Sequence, residues 1–159
     1  MRRHEIGFTL IELLIVVAIV GVLAAIAIPN LITAMQRAKQ KRTMADIRSI
    51  AIAWENRAVD MGTYSSAGIS LCCTLPISTP QAIGLLSPTF INPLPTNDGW
   101  GRFYEFDTNS DGTQYIVRSY GRHGLRDTTV VGGATSYLDC DIVYSGGQFL
   151  QYPVGIQFQ

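Results

Sequence analysis

One long apolar run dominates the first thirty residues. Residues 8–28 read FTLIELLIVVAIVGVLAAIAI, and Glu12 is the only charged residue among them. A helix of this length spans roughly 30 Å, which is about the thickness of a bilayer's hydrocarbon core. A helix this apolar is not stable with its surface in water. The run therefore predicts a segment that lies in lipid or against copies of itself.

A secretory signal peptide is the main alternative interpretation of this run. Such a signal also begins with a short basic segment, and the small residues Ala24 and Ala25 offer a place for its cleavage. Against it, the run is longer than the apolar region of a signal, and helix-compatible sequence continues directly beyond it. We therefore expect a retained anchor.

Glu12 is the anomalous residue of the run. A carboxylate in a membrane span costs on the order of a few kcal/mol and by default indicates a functional site. The simpler interpretation is a side chain near the end of the span that reaches the interface. The functional interpretation requires a positively charged partner for the carboxylate. Cleavage before Phe8 would create an α-ammonium four residues from Glu12, on the same or a neighbouring chain. The carboxylate would also offset an ammonium at the positive end of the helix dipole.

Residues 7–12 (GFTLIE) resemble the processing motif of type IV prepilins and type II secretion pseudopilins, and the resemblance continues to Asn30. It implies that a membrane peptidase cuts after Gly7 and methylates Phe8, and that Glu12 sets subunit register in a filament. It also implies a single-pass protein of the bacterial inner membrane. The leader would lie in the cytoplasm and the C-terminal domain in the periplasm, before assembly into a pseudopilus or pilus.

The resemblance also implies the partners. They are further copies of the chain and other pilin-like subunits, the prepilin peptidase, an inner-membrane assembly platform and membrane lipid. Nucleic acid is not expected, because 12 Lys plus Arg balance 12 Asp plus Glu. The arginines beyond the helix are also not interleaved with aromatic residues as in a nucleic-acid groove. They are Arg102, Arg118, Arg122 and Arg126.

We divide the chain into a leader at 1–7, a transmembrane and polymerisation helix at 8–29, and a globular domain at 30–159 whose helical spine continues to about Met61. Pro29 removes a backbone hydrogen bond and is expected to kink the helix. Gly62 is expected to end it. Apolar residues at spacings of three and four predict one helix face packed on a sheet. They are Met44, Ile47, Ala51, Trp54, Ala58 and Met61.

The rest of the chain predicts a pilin-like α+β fold, in which the long helix packs on a small antiparallel sheet. Residues 62–99 suggest a long loop with a short helix near Thr79–Leu86. Residues 107–112 (DTNSDG) are expected to form a hairpin turn. They also match the first half of a helix-loop-helix calcium loop, but Arg118 stands where that loop requires Glu. Strands are predicted at 103–106, 114–118, 141–144 and 147–152.

Two further stretches resemble the C-terminal signature of the major type II secretion pseudopilin, in which a loop holds calcium. They are residues 98–101 (DGWG) and 119–124 (SYGRHG). His123 stands where that family has an aspartate, so one family ligand is missing. No cofactor is required by the sequence, and calcium stays open as an alternative. The candidate replacement ligands are Asp127, Asp139 and Asp141. The role of the tail, 148–159, also stays open.

The cysteines are Cys72, Cys73 and Cys140. Their odd number and irregular spacing do not match a zinc site. In an oxidising compartment, Cys72 or Cys73 is a candidate disulfide partner for Cys140. The alternative is that all three are small buried apolar residues.

The expected function is that of a structural subunit of a type II secretion pseudopilus. The alternative is a type IV pilus subunit for adhesion, motility or DNA uptake. An enzyme is not expected, because no nucleophile elbow is present. A catalytic triad would have to combine His123, the only histidine after the leader, with Ser119 or Ser145 and with Asp127 or Asp139.

Overall fold

The computed structural model describes residues 8–64, 77–109, 112–127 and 132–158. The helices in these residues are α1 (Leu10–Met61) and α2 (Thr79–Leu86), and the strands are β1 (Glu105–Thr108), β2 (Tyr115–Ser119), β3 (Gly133–Tyr137), β4 (Ile142–Ser145) and β5 (Gln148–Phe158). The chain divides into two compact units, Met1–Gln36 and Arg37–Gln159, and α1 contributes to both. We call the second unit the head. The predicted short helix is confirmed as α2.

Helix α1 is continuous through Pro29. Polar side chains make extra bonds to carbonyl groups near this proline: the Asn30 amide donates to the carbonyl oxygen of Ile26 at 3.2 Å, and the Thr33 hydroxyl donates to that of Pro29 at 3.0 Å. These bonds support the backbone around the position where proline lacks an N–H group. A kink at Pro29 stays a prediction.

The predicted apolar stripe of α1 forms the centre of the head's core. Ile47, Ala51 and Trp54 are fully buried, whereas Met61 is 55% exposed, so the stripe ends before the helix does. The Trp54 ring stacks at centroid distances of 5.9 Å on Phe106 and 6.1 Å on Tyr115. The helix therefore packs on the sheet through one aromatic cluster.

Gly62 ends α1, as predicted. Its N–H donates to the carbonyl oxygen of Ala58 at 2.8 Å, and its φ of +70° lies in the left-handed region that glycine adopts without strain. Arg57, which the pattern places off the apolar stripe, is only 2% exposed. Its burial was not predicted.

The sheet has the order β1-β2-β4-β5-β3. The pairs β1–β2, β2–β4 and β4–β5 are antiparallel, but β3 pairs in parallel with β5. The prediction of an antiparallel sheet is therefore wrong at this edge, where the sheet is mixed. Short connections make β3 and β4 run in opposite directions. A strand inserted between them must be parallel to one of the two.

The predicted hairpin at 107–112 is confirmed by the antiparallel pairing of β1 with β2. Residues 110–111 lie outside the described part of the chain. The side-chain oxygen of Asn109 accepts from the backbone N–H groups of Thr113 at 2.9 Å and Gln114 at 2.8 Å. An Asn that bonds backbone groups a few residues ahead is typical of turn chemistry.

Candidate functional site

The first turn of α1 is closed by a reciprocal pair of bonds between Thr9 and Glu12. The Glu12 carboxylate accepts from the Thr9 backbone N–H at 3.3 Å and from its hydroxyl at 2.9 Å. The Thr9 hydroxyl oxygen in turn accepts from the Glu12 N–H at 3.3 Å. This is a capping box, which satisfies backbone donors that a helix start otherwise leaves free. Glu12 therefore has a local role within one chain.

The surface that follows this turn is apolar on all sides. From Phe8 to Met35, every large apolar side chain is at least 46% exposed. In the described part of the chain, α1 is the one helix with a segment long and apolar enough to cross a membrane. Phe8 itself is 72% exposed. Gly7 lies outside the described residues, so the cleavage position stays a prediction.

In the head, the carboxylate of Asp98 joins two segments of the predicted signature. Asp98 is 2% exposed, and its Oδ1 accepts from the backbone N–H groups of Trp100 and Arg102, each at 2.9 Å. Its Oδ2 accepts from the Ser119 hydroxyl at 2.7 Å. The Gly99 N–H donates to the Thr43 hydroxyl of α1 at 2.9 Å. The turn at 98–102 is thus fixed to the end of β2 and to the helix.

Arg102 extends from this turn into the following loop. Its Nη1 donates to the carbonyl oxygens of Gly121 at 2.9 Å and Arg122 at 2.7 Å. Gly124 has a φ of +71°, and a Cβ there would collide with the Arg102 guanidinium. The absence of a side chain at Gly124 is therefore what leaves room for Arg102. We did not predict a role for Arg102 within the fold.

The three candidate calcium ligands fall into two separate arrangements. The Asp139 carboxylate accepts from the Arg122 guanidinium twice, at 2.8 and 3.0 Å, and this holds the pKa of Asp139 below its usual range. Asp127 and Asp141 bind each other, because the N–H of each donates to the carboxylate of the other, at 3.1 and 2.9 Å. The fold thus brings together two of the predicted ligands and pairs the third with an arginine.

These residues do not fit a calcium ion. Calcium takes six to eight oxygen ligands. Nowhere in the described ranges do three or more His, Cys, Asp or Glu side chains form a group that could hold a metal. His123, which stands where the resemblance implies an aspartate, has its Nε2 3.6 Å from Asp127 Oδ1 and its Nδ1 3.0 Å from the Tyr120 carbonyl oxygen. It therefore supplies no carboxylate to the loop.

The two remaining arginines beyond α1 also face carboxylates. Arg118 is 5% exposed, with its Nε 3.6 Å from Glu105 Oε2 and its Nη1 3.7 Å from Asp141 Oδ2. Arg126 Nη1 lies 3.4 Å from Glu105 Oε1. Together with Arg102 and Arg122, these side chains are engaged within the head, which does not favour a basic groove for nucleic acid.

The remaining candidates are placed as follows. The Ser119 hydroxyl donates to Asp98, so its hydrogen bond is not directed at His123 as a triad would require. Ser145 ends β4. Cys140 is half-buried and forms no disulfide with any described residue, and burial raises the pKa of its thiol. Cys72 and Cys73 lie outside the described residues, so the proposed pairing stays untested.

Replacing Asp141 with asparagine is expected to remove a pH dependence from the stability of the head. Burial raises the pKa of Asp141 from 3.8 to about 6, although the hydrogen bond from the Asp127 N–H opposes the rise. Between these values the folded chain holds a proton that the unfolded chain has lost, so stability falls as the pH rises through this window. Across it, Tm of D141N is expected to rise relative to wild type by on the order of 5 °C.

Thermal unfolding of the wild type and of D141N at several pH values tests this prediction. The pH values should lie between about 4 and 7, because the Asp141 pKa sets this window. Asp139→Asn is the matched control, and its Tm relative to wild type is expected to stay nearly constant across this window, which lies above the ordinary pKa of Asp139. Because Arg122 lowers the pKa of Asp139, its contribution is present above the ordinary pKa and is lost as the pH falls. If D141N followed the wild type at every pH, the raised pKa would be contradicted.

The sequence matches two described families. Residues 2–28 match the prokaryotic N-terminal methylation motif, and residues 30–133 match type II secretion system (T2SS) protein G. The type II secretion system core protein G of Pseudomonas aeruginosa is 34% identical over 131 residues, covering 79% of this chain and 92% of that protein. The protein of the same name from Vibrio cholerae is 30% identical over 124 residues, covering 77% and 84%. That of Dickeya chrysanthemi is 29% identical over 130 residues, covering 80% and 84%. No solved structure matches the chain.

Proposed function

The chain belongs to the type II secretion system protein G family, and from this premise we propose how it serves as a structural subunit of the secretion pseudopilus. The observation that supports the proposal is the exposed apolar surface of α1, which begins with a single capped carboxylate. That surface needs lipid before assembly and other subunits after it. The relatives reported above are all core proteins of type II secretion systems, and nothing in them favours the surface-pilus alternative.

Before assembly, the subunit is anchored in the inner membrane by residues 8–29. The leader, 1–7, lies in the cytoplasm and the head in the periplasm. A prepilin peptidase removes the leader after Gly7 and methylates Phe8. The apolar length of α1 supports the anchor, and the match of residues 2–28 to the methylation motif supports the processing step.

An assembly platform then transfers the helix from lipid into a bundle of other subunits. The contact is heterologous, because an α-ammonium on Phe8 of one subunit meets Glu12 of a neighbour. A repeated contact of this kind generates an open helical filament rather than a closed ring. The subunit has a structural and not a catalytic role, which accords with the bond from Ser119 to Asp98 in place of a catalytic pair.

Cleavage and methylation provide the test of this function. The full chain is co-expressed with a prepilin peptidase, and its intact mass is measured. We expect loss of residues 1–7 and the gain of one methyl group on Phe8. Gly7→Val is the control and is expected to stay uncut, because its branched side chain replaces the smallest residue at the cleavage position. An uncut wild-type chain, or cleavage near Ala24, would overturn the proposal.

A further inference from the structure

We propose that the loop at 119–124 is closed by the guanidinium of Arg102 in place of a metal ion, so that the head folds without calcium. The family resemblance implies a calcium-holding loop in this region, and the described residues do not fit one. The proposal concerns the head alone and does not rest on how the subunit polymerises.

The position of Arg102 is the first support. Its Nη1 donates to two consecutive carbonyl oxygens, those of Gly121 and Arg122, at 2.9 and 2.7 Å. Two inward-facing carbonyl groups are oxygen ligands of the kind that calcium uses. Here a permanently charged guanidinium satisfies both, and an arginine does not lose its charge at any physiological pH.

The anchoring of Arg102 is the second support. Its backbone N–H donates to the buried carboxylate of Asp98, which also accepts from the Ser119 hydroxyl at the start of the loop. The Ser119 oxygen accepts in turn from the Gly121 N–H at 3.3 Å. The backbone of the arginine and the start of the loop that it closes are thus fixed to one carboxylate.

The third support is that each carboxylate of the region already accepts at least one donor, although the buried Oδ1 of Asp141 has no hydrogen-bond partner among the described residues. Arg122 occupies both oxygens of Asp139, and one carboxylate oxygen on each of Asp127 and Asp141 accepts a backbone N–H. A calcium ion that used the Asp139 carboxylate and the two loop carbonyl oxygens would have to displace Arg122 and Arg102. The positive charge that a calcium ion would supply to such a loop is supplied here by Arg102 and Arg122.

Hydrogen exchange of the full-length, detergent-solubilised chain tests the proposal. Two loop amides that donate to backbone carbonyl oxygens serve as probes: Arg122 donates to Leu138 and Gly124 donates to Tyr120, each at 3.2 Å. In the wild type, their exchange rates are expected to be the same in excess EGTA and in excess calcium. Isothermal titration with calcium chloride is expected to show no binding to the head.

Arg102→Gln keeps the backbone bond to Asp98 but removes the guanidinium, and it is expected to speed exchange at these amides by roughly tenfold. Arg126→Gln is the matched control, because the Arg126 side chain is 56% exposed and pairs with Glu105 at 3.4 Å rather than with the loop carbonyl groups that Arg102 binds. It should exchange at the wild-type rate. Slower exchange of the wild-type loop in calcium than in EGTA would overturn the proposal. That comparison decides the matter even if Arg102→Gln fails to fold.

Discussion

Replacing Glu12 with glutamine is expected to leave the subunit processed and anchored in the membrane but to abolish its incorporation into the pseudopilus. The structure shows why glutamine is the informative substitution. A capping box accepts glutamine as well as glutamate at this position, so the bonds between residue 12 and Thr9 can be kept. The variant removes the negative charge alone.

The size of the expected effect follows from the surroundings of the charge. In the proposed filament, the α-ammonium on Phe8 lies among apolar helices and has Glu12 as its counter-charge. An unpaired charge in such surroundings costs a few kcal/mol, and each 1.4 kcal/mol changes an equilibrium about tenfold. We therefore expect at least about a hundredfold less Glu12→Gln protein than wild type in filaments.

The measurement compares the sheared filament fraction with the membrane fraction in cells without another copy of the subunit, and intact mass confirms processing. Thr9→Val is the matched control, because it keeps the carboxylate and removes the hydroxyl of the capping box. Loss of that hydroxyl is expected to weaken the helix start by only about 1 kcal/mol. Assembly of Glu12→Gln at the wild-type level would show that the role of Glu12 is capping.

Local chemistry explains which features the sequence predicts well. The bounds of α2, the end of α1 at Gly62 and the 107–112 hairpin each depend on residues within a few positions of one another. The Thr9–Glu12 capping box is equally local, since Thr-x-x-Glu is a known sequence signal, so it too is predictable from the sequence, although only the charge of Glu12 entered our prediction there.

The missed features depend on partners distant in sequence. Strand β3 (GATSY) is exposed along much of its length, so it shows no apolar alternation, and its pairing is set by β5. Arg118 is buried because Glu105 and Asp141 approach it from two other segments. Arg102 reaches carbonyl groups about twenty positions ahead. No spacing within a single segment indicates such contacts.

Trp54 is the position in the head where a single substitution is expected to cost the most. Its side chain is 1% exposed and lies against Phe106 and Tyr115 of two strands. Its Nε1 donates to the carbonyl oxygen of Tyr64 at 3.0 Å, beyond the end of α1. Tyr115 is fixed from the other side, since its hydroxyl donates to Glu55 at 2.6 Å. One indole therefore joins the helix, the sheet and the chain after the helix.

Trp54→Ala is expected to lower the free energy of unfolding of the head by about 3–5 kcal/mol, because a large buried ring leaves a cavity that its neighbours fill only in part. Domains are typically stable by only about 5–15 kcal/mol, so much of the head's stability would be lost. Denaturation of the detergent-solubilised chain, followed by near-ultraviolet circular dichroism, measures this loss in the free energy of unfolding. Trp54→Phe keeps an aromatic ring and loses the bond to Tyr64, so a smaller loss is expected.

Ile52→Ala is the matched control on the same helix, because Ile52 is 50% exposed and its truncation removes little buried surface. If Trp54→Ala cost no more than Ile52→Ala, the packing of α1 on the sheet would not determine the stability of the head.

If Trp54→Ala costs the expected amount, Trp54→Ala and Glu12→Gln separate two requirements of one helix. In the proposed function, α1 needs a charge near its start for contact with other subunits, and near its end it needs the buried Trp54 ring to keep its own head folded. A destabilised head is also expected to lower the amount of subunit in cells, since unfolded chains are removed by proteases. Filament yield must therefore be normalised to subunit level before the two variants are compared.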